Sequence, residues 1–320
     1  MASDSGRFIA LDISVIIPTY NRASLIPETL QSILAQSYRP AEVIVIDDGS
    51  TDKTEAAVRR FGAAVRYHKI ENSGQGPARN VGASLSRGAW LAFCDSDDLW
   101  CPEKLELQVR LFESVPGLEY GFTNFKIVSH GVWSEDSKFD SSPPGYWELP
   151  KSIFDEDLAV VNTPLFERIL IHQPIFPSTV MMTRRFFEKV GRWGEDVARW
   201  LAEDLEFTLR CVSLAPAGVV AKPVVGIRKH AANFSADDLR CTLGEIDILR
   251  YVLDHHPAAK AYENAIREQI VSRSTSAASS AFAAGEYARV REILRAVPYS
   301  RRSWKLQIKG LAAAILQLEK

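Results

Sequence analysis

Residues 89–98 read Ala-Trp-Leu-Ala-Phe-Cys-Asp-Ser-Asp-Asp, an apolar run that ends in three carboxylates. The apolar part has the length and composition of a short buried strand. Carboxylates this close repel one another, and a divalent cation offsets that repulsion best. Oxygen ligands at the end of a rigid strand suit Mg²⁺ or Mn²⁺, which typically bridges to substrate phosphates. We therefore expect a site for a metal and a diphosphate. The alternative is a solvated turn in which Asp98 caps the helix that Pro102 begins.

The chain before this stretch alternates short apolar runs with helical patterns. The apolar runs predict buried strands at 13–17, 42–46 and 64–70, and the spacing predicts helices at 22–36, 52–61 and 77–86. Strands that alternate with helices imply a parallel sheet, and ligands of such sheets bind at the carboxyl ends of the strands. Three polar clusters follow predicted strands, and we expect them to converge on one edge: 18–20, 47–48 and 95–97.

The remainder of the chain changes character twice. Helices are predicted at 102–113 and 203–214, strands at 118–128 and 179–183, and a mobile loop at 134–146. After about residue 237 strand signals vanish. The patterns at 272–284 and 286–296, separated by Gly285, predict a helical hairpin. We expect an all-helical C-terminal region.

Composition excludes one class of partner and indicates a compartment. The 320 residues carry 38 Lys and Arg against 40 Asp and Glu, so no basic excess exists for general nucleic-acid binding. Cys94, Cys101, Cys211 and Cys241 show no paired or metal-type spacing and indicate reduced thiols. The polar N-terminus lacks an apolar signal core, and no apolar run approaches the roughly 20 residues that span a bilayer. We expect a cytoplasmic protein.

The segment 301–318 has its own pattern. Apolar residues recur at helical spacing from Trp304 to Leu318, beside the basic Arg301, Arg302, Lys305 and Lys309. Such a helix suits the surface of an anionic membrane on the inner face of the cell, where the protein would be peripheral. The alternative is packing on its own domain or on a partner subunit.

Six short motifs occur in order along the chain: Ser-Val-Ile-Ile-Pro-Thr-Tyr-Asn-Arg at 14–22, Val-Ile-Asp-Asp-Gly-Ser-Thr-Asp at 45–52, Asn-Ser-Gly-Gln-Gly-Pro-Ala-Arg-Asn at 72–80, the Asp-X-Asp motif with its following Asp at 95–98, Ala-Glu-Asp at 202–204, and Arg228-Lys229-His230 with Asn233 and Ser235. Together they resemble the family 2 glycosyltransferases, which have the GT-A fold, over residues 12 to about 235. Each motif alone is weak, but their order and spacing are specific.

The resemblance implies an α/β fold with a central, mostly parallel sheet flanked by helices. It implies a glycosyltransferase domain over 1–236, with a nucleotide-binding half (1–98) and an acceptor half (99–236), before the helical region 237–320. The implied activity moves a sugar, with inversion, from a nucleotide-diphosphate sugar to an acceptor hydroxyl. UDP is favoured as the nucleotide, Mn²⁺ or Mg²⁺ as the metal, and a glycan or lipid-linked glycan of polysaccharide or glycoconjugate biosynthesis as the acceptor.

The resemblance also implies roles for individual residues on the donor side. Pro18, Tyr20 and Asp48 would contact the nucleoside, with Asp48 accepting a base N–H. Arg79 would contact the donor near the base or the phosphates.

The Asp-X-Asp motif and a later histidine complete that side. Asp95 would approach the ribose or the sugar, with Ser96 beside it in the donor site. Asp97 would ligate the metal, and His230 matches a position that meets the metal or the diphosphate in some relatives.

The acceptor hydroxyl must lose its proton as it attacks, so a carboxylate base is needed on the opposite face of the sugar. Asp204 is the candidate, and Glu203 would hold it or the acceptor in place. A direct displacement with one base predicts inversion. Asp204 could instead be an ordinary acid at a helix N-terminus, and Asp196 is a second acid to weigh as the base.

Structural alternatives exist for several of these residues. His230 could be a surface histidine, Asp48 could organise its turn, and Trp193 and Trp200 could either stack on an acceptor sugar or pack in the core. Two other functions are also open. A sugar-nucleotide pyrophosphorylase would normally carry a Gly-rich basic loop after its first strand, which 18–22 is not. A non-catalytic nucleotide-sugar binding module would need no base.

Overall fold

A computed structural model describes residues 11–149, 151–214, 216–230 and 237–316. Two compact units are present. The first takes in the described residues up to Phe166, together with His172–Arg199 and Phe207–His230. The second takes in Glu167–Ile171, Trp200–Glu206 and the described residues beyond His230. Asn233, Ser235 and Leu318, which belong to the sequence patterns above, lie outside the described residues.

The first unit is built on an eleven-stranded sheet. Its N-terminal part has the strand order β3-β2-β1-β4, and every neighbouring pair is parallel. The alternation of apolar runs and helical patterns therefore predicted these strands and their direction correctly. Their bounds are β1 Ile13–Thr19, β2 Glu42–Asp47, β3 Arg66–Lys69 and β4 Trp90–Phe93.

The rest of the sheet is mixed, so the expectation of a mostly parallel sheet is wrong beyond β4. Val180–Thr183 (β10) is antiparallel both to β4 and to Tyr120–Ser129 (β6). Apolar periodicity identifies a strand but does not reveal the direction of a partner about ninety residues away in the chain. The other strands are β5 Leu99–Trp100, β7 Val132–Ser137, β8 Lys151–Ile153, β9 Leu158–Val161 and β11 Ala217–Lys229, of which β11 is parallel to β6.

The segment 134–146, expected as a mobile loop, begins within a strand and ends at a buried tyrosine, and its mobility stays a prediction. Its first residues belong to β7, which pairs antiparallel with β6. Farther along, Tyr146 is buried, and its hydroxyl donates to the carbonyl of His172 at 2.7 Å. The polar composition of the segment concealed the hairpin partner that holds it.

The described helices of the first unit are α1 Ile26–Leu34, α2 Thr54–Arg59, α3 Gln75–Leu85, α4 Lys104–Ser114 and α6 Arg184–Val190. Helix α5 Phe166–Ile171 lies almost wholly in the second unit, and the residues of α7 Glu203–Leu214 are divided between the two units. The contact of α3 with the sheet is close. A Cβ added at Gly82 would lie 2.4 Å from Cγ2 of Ile16, so only glycine allows α3 to approach β1 this far. This approach places the first turns of α3 near the carboxyl ends of the parallel strands.

Among the described residues after His230, the helices of the second unit are α8 Asp238–His255, α9 Ala259–Ala283, α10 Tyr287–Arg295 and α11 Trp304–Leu316. Gly285, at φ +74°, makes the reversal between α9 and α10 that the sequence predicted. Their common core includes Ala277, Val290, Leu294 and Leu306. No helix within the described residues is both long enough and apolar enough to cross a membrane.

Candidate active site

Side chains that follow β1, β2 and β4 meet at one edge of the sheet, as the sequence predicted. The Oγ of Ser50, after β2, accepts a hydrogen bond from the backbone N–H of Asn21, after β1, at 2.8 Å. Thr29 of α1 donates to the carbonyl of Ser96, after β4, at 3.0 Å. Because parallel strands end on the same edge, three loops distant in sequence form one polar surface.

Asp97 lies at the centre of this surface. Its Oδ2 is 3.0 Å from Nε2 of His230 and 3.3 Å from Nε of Arg22. Its backbone carbonyl accepts a hydrogen bond from Nε of Arg228. The Arg228 guanidinium also binds Oε2 of Glu28 at 2.6 Å and the carbonyl of Leu25 at 2.9 Å. The loop that carries Asp97 is therefore fixed from α1 and from the end of β11.

Asp97 and His230 together have the chemistry of a partial cation site. Neighbouring ligands of an octahedral Mg²⁺ at 2.0–2.1 Å are about 3 Å apart, which matches the separation of these two donor atoms. Within the described ranges no group of three or more His, Cys, Asp or Glu side chains is arranged to hold a metal. Mg²⁺ commonly takes only one or two protein ligands and completes its shell with substrate phosphates and water, so the two residues fit such an ion.

Asp95 pairs with Arg79, which α3 places in the interior. Nη2 of Arg79 is 2.6 Å from Oδ1 of Asp95 and 3.0 Å from Oε1 of Gln75. The guanidinium also lies over the Trp193 ring, with Cζ 4.4 Å from the ring centroid. The Arg79 side chain is 1% exposed and that of Asp95 is 25% exposed. One face of the pair is thus closed by protein and the other opens toward solvent at the carboxyl end of β4.

Asp48 binds the loop that leads into α3. Its Oδ1 accepts from the backbone N–H of Ser73 at 2.7 Å, and its Oδ2 accepts from the N–H of Gly74 at 2.9 Å. Asn72 donates its side-chain amide to the Asp48 carbonyl at 2.8 Å. These contacts support the loop-organising interpretation of Asp48, and its contact with a base stays a prediction.

The other residues assigned to the donor differ in exposure. Pro18 is buried in β1, opposite Ile46 of β2. Ser96 is also buried, whereas the Tyr20 ring is 41% exposed at the edge of the sheet. Tyr20 is therefore the residue of this group with the most surface available to a ligand.

Asp98 does not cap a helix. It is buried, its Oδ2 accepts a hydrogen bond from Oγ of Ser178, and its Oδ1 accepts from the backbone N–H of Arg228 at 3.1 Å. Burial raises the pKa of Asp98 well above its usual range, and the Asp97 and Asp95 charges add to the shift. The alternative of a helix cap is therefore wrong, because Asp98 turns inward and α4 begins only at Lys104.

The candidate base and its neighbour lie at the start of a helix, as expected. Glu203 and Asp204 occupy the first turn of α7 and belong to the second unit. That position is favourable for acids whatever their chemical role. The role of Asp204 as the base therefore stays a prediction, and so does the weaker case for Asp196.

The two tryptophans of the sequence analysis, Trp193 and Trp200, differ in burial. Trp193 is buried and stacks on Phe207, with ring centroids 4.0 Å apart, so core packing was the correct alternative. Trp200 belongs to the second unit, is 41% exposed, and meets the Tyr251 ring edge-on at 5.9 Å.

Sequence reasoning missed several residues that hold the site. Arg22, Asn80 and Arg228 stood inside the quoted motifs but received no role. Asn80 exchanges two 3.0 Å hydrogen bonds with the backbone of Trp193, which fixes the ring beneath Arg79. Ser178 had no sequence signal, although its Oγ accepts the Asp95 N–H at 2.9 Å as well as binding Asp98.

Comparison with known sequences identifies the family. The sequence profile described as glycosyl transferase family 2 matches residues 14–170. TuaG of Bacillus subtilis, provisionally named a teichuronic acid biosynthesis glycosyltransferase, is 36% identical over 199 residues, which cover 59% of this chain and 71% of TuaG. This chain belongs to glycosyl transferase family 2.

Other relatives of this family 2 protein are longer. An uncharacterised glycosyltransferase of Rickettsia typhi is 31% identical over 201 residues, or 63% of this chain and 59% of that protein. Another, from Rickettsia felis, is 30% identical over 250 residues, or 76% of this chain and 37% of that protein. The chain therefore spans between about a third and three fifths of the length of these two relatives.

Solved structures establish the fold of this family 2 protein. Residues 1–349 of S. aureus TarS, in complex with UDP-GlcNAc, give a TM-score of 0.62 at 21% identity and cover 95% of this chain and 89% of that one. The mannosyltransferase PcManGT of Pyrobaculum calidifontis, in complex with GDP-Man and Mn²⁺, gives a TM-score of 0.54 at 20% identity. The match covers 96% of this chain and 87% of that one. The likeness confirms the expected GT-A fold with a helical C-terminal region.

Proposed function

We propose that this protein is an inverting, metal-dependent glycosyltransferase that moves a sugar from a UDP-sugar to the hydroxyl of a glycan acceptor. The observation that carries the proposal is the Asp97–His230 pair, placed two residues from the Arg79–Asp95 pair at the carboxyl ends of parallel strands. One pair suits a cation that a diphosphate completes, and the other offers a partly exposed carboxylate to the ribose or the sugar.

The protein groups divide the chemistry between them. Asp97 and His230 would hold Mn²⁺ or Mg²⁺, which when bound supplies Lewis-acid stabilisation for the charge on the leaving diphosphate. Arg79 orients Asp95 through their 2.6 Å ion pair. Tyr20 offers an exposed ring to the nucleoside, since aromatic faces stack on bases.

The transfer step needs a base as well as a donor site. Asp204 takes the proton of the acceptor hydroxyl while that oxygen bonds to the anomeric carbon. The bond from the anomeric carbon to the diphosphate oxygen breaks, and the nucleoside diphosphate leaves with the electron pair. A single displacement of this kind inverts the anomeric centre, and Glu203 positions Asp204 or the acceptor.

Three of the compared proteins support the finer parts of the proposal. The TarS complex holds UDP-GlcNAc on the same fold, which supports UDP as the donor nucleotide. TuaG carries a name from teichuronic acid biosynthesis, which supports a surface polysaccharide or related glycoconjugate as the product. PcManGT, with GDP-Man and Mn²⁺, supports the metal and makes GDP the competing nucleotide to test.

The test is ligand-dependent thermal unfolding followed by an assay of donor turnover. UDP, dTDP, GDP and CMP are each compared with and without Mn²⁺, because a ligand that binds only the folded state raises the unfolding temperature. We expect the largest Mn²⁺-dependent rise with UDP, and release of UDP from a UDP-sugar when acceptor glycans are supplied. Asp97→Asn should lose the Mn²⁺-dependent part of the rise in unfolding temperature. Asp136→Asn, on the exposed face of β7, should keep that part. Absence of any diphosphate effect would overturn the proposal, and a rise with GDP alone would overturn the choice of UDP.

A further inference from the structure

Helix α11 carries an apolar stripe that its own unit does not cover. We define the apolar stripe as Trp304, Ile308, Leu311 and Ile315, whose exposed fractions are 67%, 55%, 69% and 61%. At 100° per residue the four side chains fall within about 60° of one another on the helix circumference. No other helix of the described residues has more than one large apolar side chain this exposed.

The opposite face of α11 packs inward, which fixes the direction of the stripe. Leu306 and Ala313 are buried in the core shared with α9 and α10. A Cβ added at Gly310 would lie 2.9 Å from Cδ1 of Leu294, so this side of the helix is in close contact with α10. The sequence alternative of packing on its own domain therefore holds for Leu306 but not for the stripe.

Positive charge is concentrated in the part of the chain that contains the stripe. Between Tyr287 and Leu316 the chain has seven Arg or Lys and a single Glu, although Asp and Glu outnumber Lys and Arg over the whole chain. Lys305 lies next to the stripe, with Nζ 5.6 Å from the centroid of the Trp304 ring, whereas Lys309 lies farther around the helix, with Nζ 6.0 Å from the centroid of the Phe282 ring. The described part of α11 has no acidic residue. Nη2 of Arg301 donates a hydrogen bond to Oε1 of Glu268 at 3.5 Å, and Nη2 of Arg302 donates to the carbonyl of Val297 at 3.0 Å. The two lysines are thus the cations of α11 best placed for an external anion.

We infer that α11 is a docking surface for an anionic lipid bilayer. The apolar stripe would enter the boundary between headgroups and acyl chains, where Trp is favoured, and Lys305 and Lys309 would reach the lipid phosphates. Apolar burial and attraction to anionic headgroups act together on such a helix.

A second copy of the chain fits the stripe less well than a bilayer. A 13-residue helix is about 20 Å long and about 10 Å wide, so the stripe offers a footprint on the order of 200 Å². A stable protein interface buries about 800 Å² on each partner. In a two-fold dimer the positively charged residues near the stripe of one copy would also face those of the other copy, and they would repel.

Vesicle flotation of the full chain tests the inference. We expect binding to vesicles of phosphatidylcholine and phosphatidylglycerol (7:3) and little binding to phosphatidylcholine alone. Lys305→Gln with Lys309→Gln should weaken binding about fivefold for each lysine removed. Leu311→Glu should weaken it by about tenfold or more. Val132→Glu, at a 70% exposed site on β7, is the matched control and should bind like the wild type.

Each other outcome overturns the inference. Equal binding to both vesicle types, or binding that survives Leu311→Glu, would show that α11 is not the contact. A wild-type dimer that Leu311→Glu dissociates, without vesicle binding, would assign the stripe to a second copy. Leu311 and Val132 are both on the surface, and thermal unfolding of every variant verifies that it folds. Asp97→Asn should keep vesicle binding, which separates this inference from the proposed transferase activity.

Discussion

Nε2 of His230 lies 3.0 Å from Oδ2 of Asp97, although 133 residues separate the two in the chain. The strand β11 that ends at Lys229 delivers the histidine to the carboxyl end of β4. If the two residues share a cation, His230→Ala should weaken the Mn²⁺-dependent affinity for UDP by about tenfold or more. Calorimetric titration of UDP with and without Mn²⁺ measures this directly.

The control for His230 is His68→Ala, an exposed histidine of β3. It should leave the titration unchanged. If Mn²⁺ raises the affinity for UDP equally in His230→Ala and in the wild type, His230 is not a metal ligand. Its contact with Asp97 then serves only to position the carboxylate.

Removal of Arg79 should destabilise the protein as well as weaken donor binding. Arg79→Ala leaves Asp95 without its 2.6 Å partner and removes the cation over the Trp193 ring. Because Asp95 is 25% exposed, the loss should cost about 2 kcal/mol in the free energy of unfolding, less than the loss of a partner from a fully buried pair. Urea unfolding gives the stability change, and UDP titration gives the change in affinity.

A half-exposed pair provides the comparison for Arg79. Arg110 lies 2.7 Å from Asp155, and both side chains are more than a third exposed. Arg110→Ala should change the free energy of unfolding by less than about 1 kcal/mol, because water screens exposed pairs. Equal losses for the two variants would contradict the interpretation that burial makes the Arg79–Asp95 pair important.

Asp204→Asn should abolish transfer while leaving donor binding intact. Loss of a general base lowers turnover by about 10²- to 10⁴-fold, whereas the UDP-dependent rise in unfolding temperature should match that of the wild type. The paired variant is Asp196→Asn, which removes the other acid considered for this role. Unchanged turnover in Asp204→Asn, or a larger loss in Asp196→Asn, would move the base assignment away from Asp204.

Lys104 makes stability depend on pH. Its side chain is fully buried, with Nζ 3.6 Å from the centroid of the Trp100 ring and no hydrogen-bond partner among the described residues. Burial lowers the pKa of Lys104 to about 7, from 10.5 in an unfolded chain. Between these values the unfolded state binds a proton that the folded state does not, so folding becomes more favourable as pH rises.

Lys104→Met isolates this effect. From pH 7 to 8.5 the free energy of unfolding of the wild type should rise relative to that of the variant, by up to about 1.4 kcal/mol per pH unit. The variant should also be more stable than the wild type at pH 7. Urea unfolding at several pH values gives the two curves, and parallel curves would show that Lys104 keeps its ordinary pKa.

Local pattern was enough to predict the parallel strands, the helices after residue 237 and most of the polar residues at the sheet edge. An apolar run indicates that its own strand is buried, and a Gly or an acidic residue at the end of a run indicates the local backbone conformation. Such features can therefore be predicted without knowing which segment packs against them. The motif order placed Asp48, Arg79, Asp95, Asp97 and His230 in one site, and all except His230 lie on the first four strands or the segments next to them.

Only the tertiary structure decided which groups hold those residues and which apolar face stays exposed. The pairing of β10 with β4, the inward turn of Asp98 toward Ser178, and the contacts of Arg228 with Asp97, Glu28 and Leu25 each join segments about eighty or more residues apart. Such contacts depend on how strands and helices pack, which no local period records. The same reason applies to α11, where Leu306 and Leu311 lie on different apolar faces of the helix. Packing against α9 and α10 buries the face with Leu306 and leaves the face with Leu311 on the surface, and the spacing of apolar residues alone does not distinguish the two.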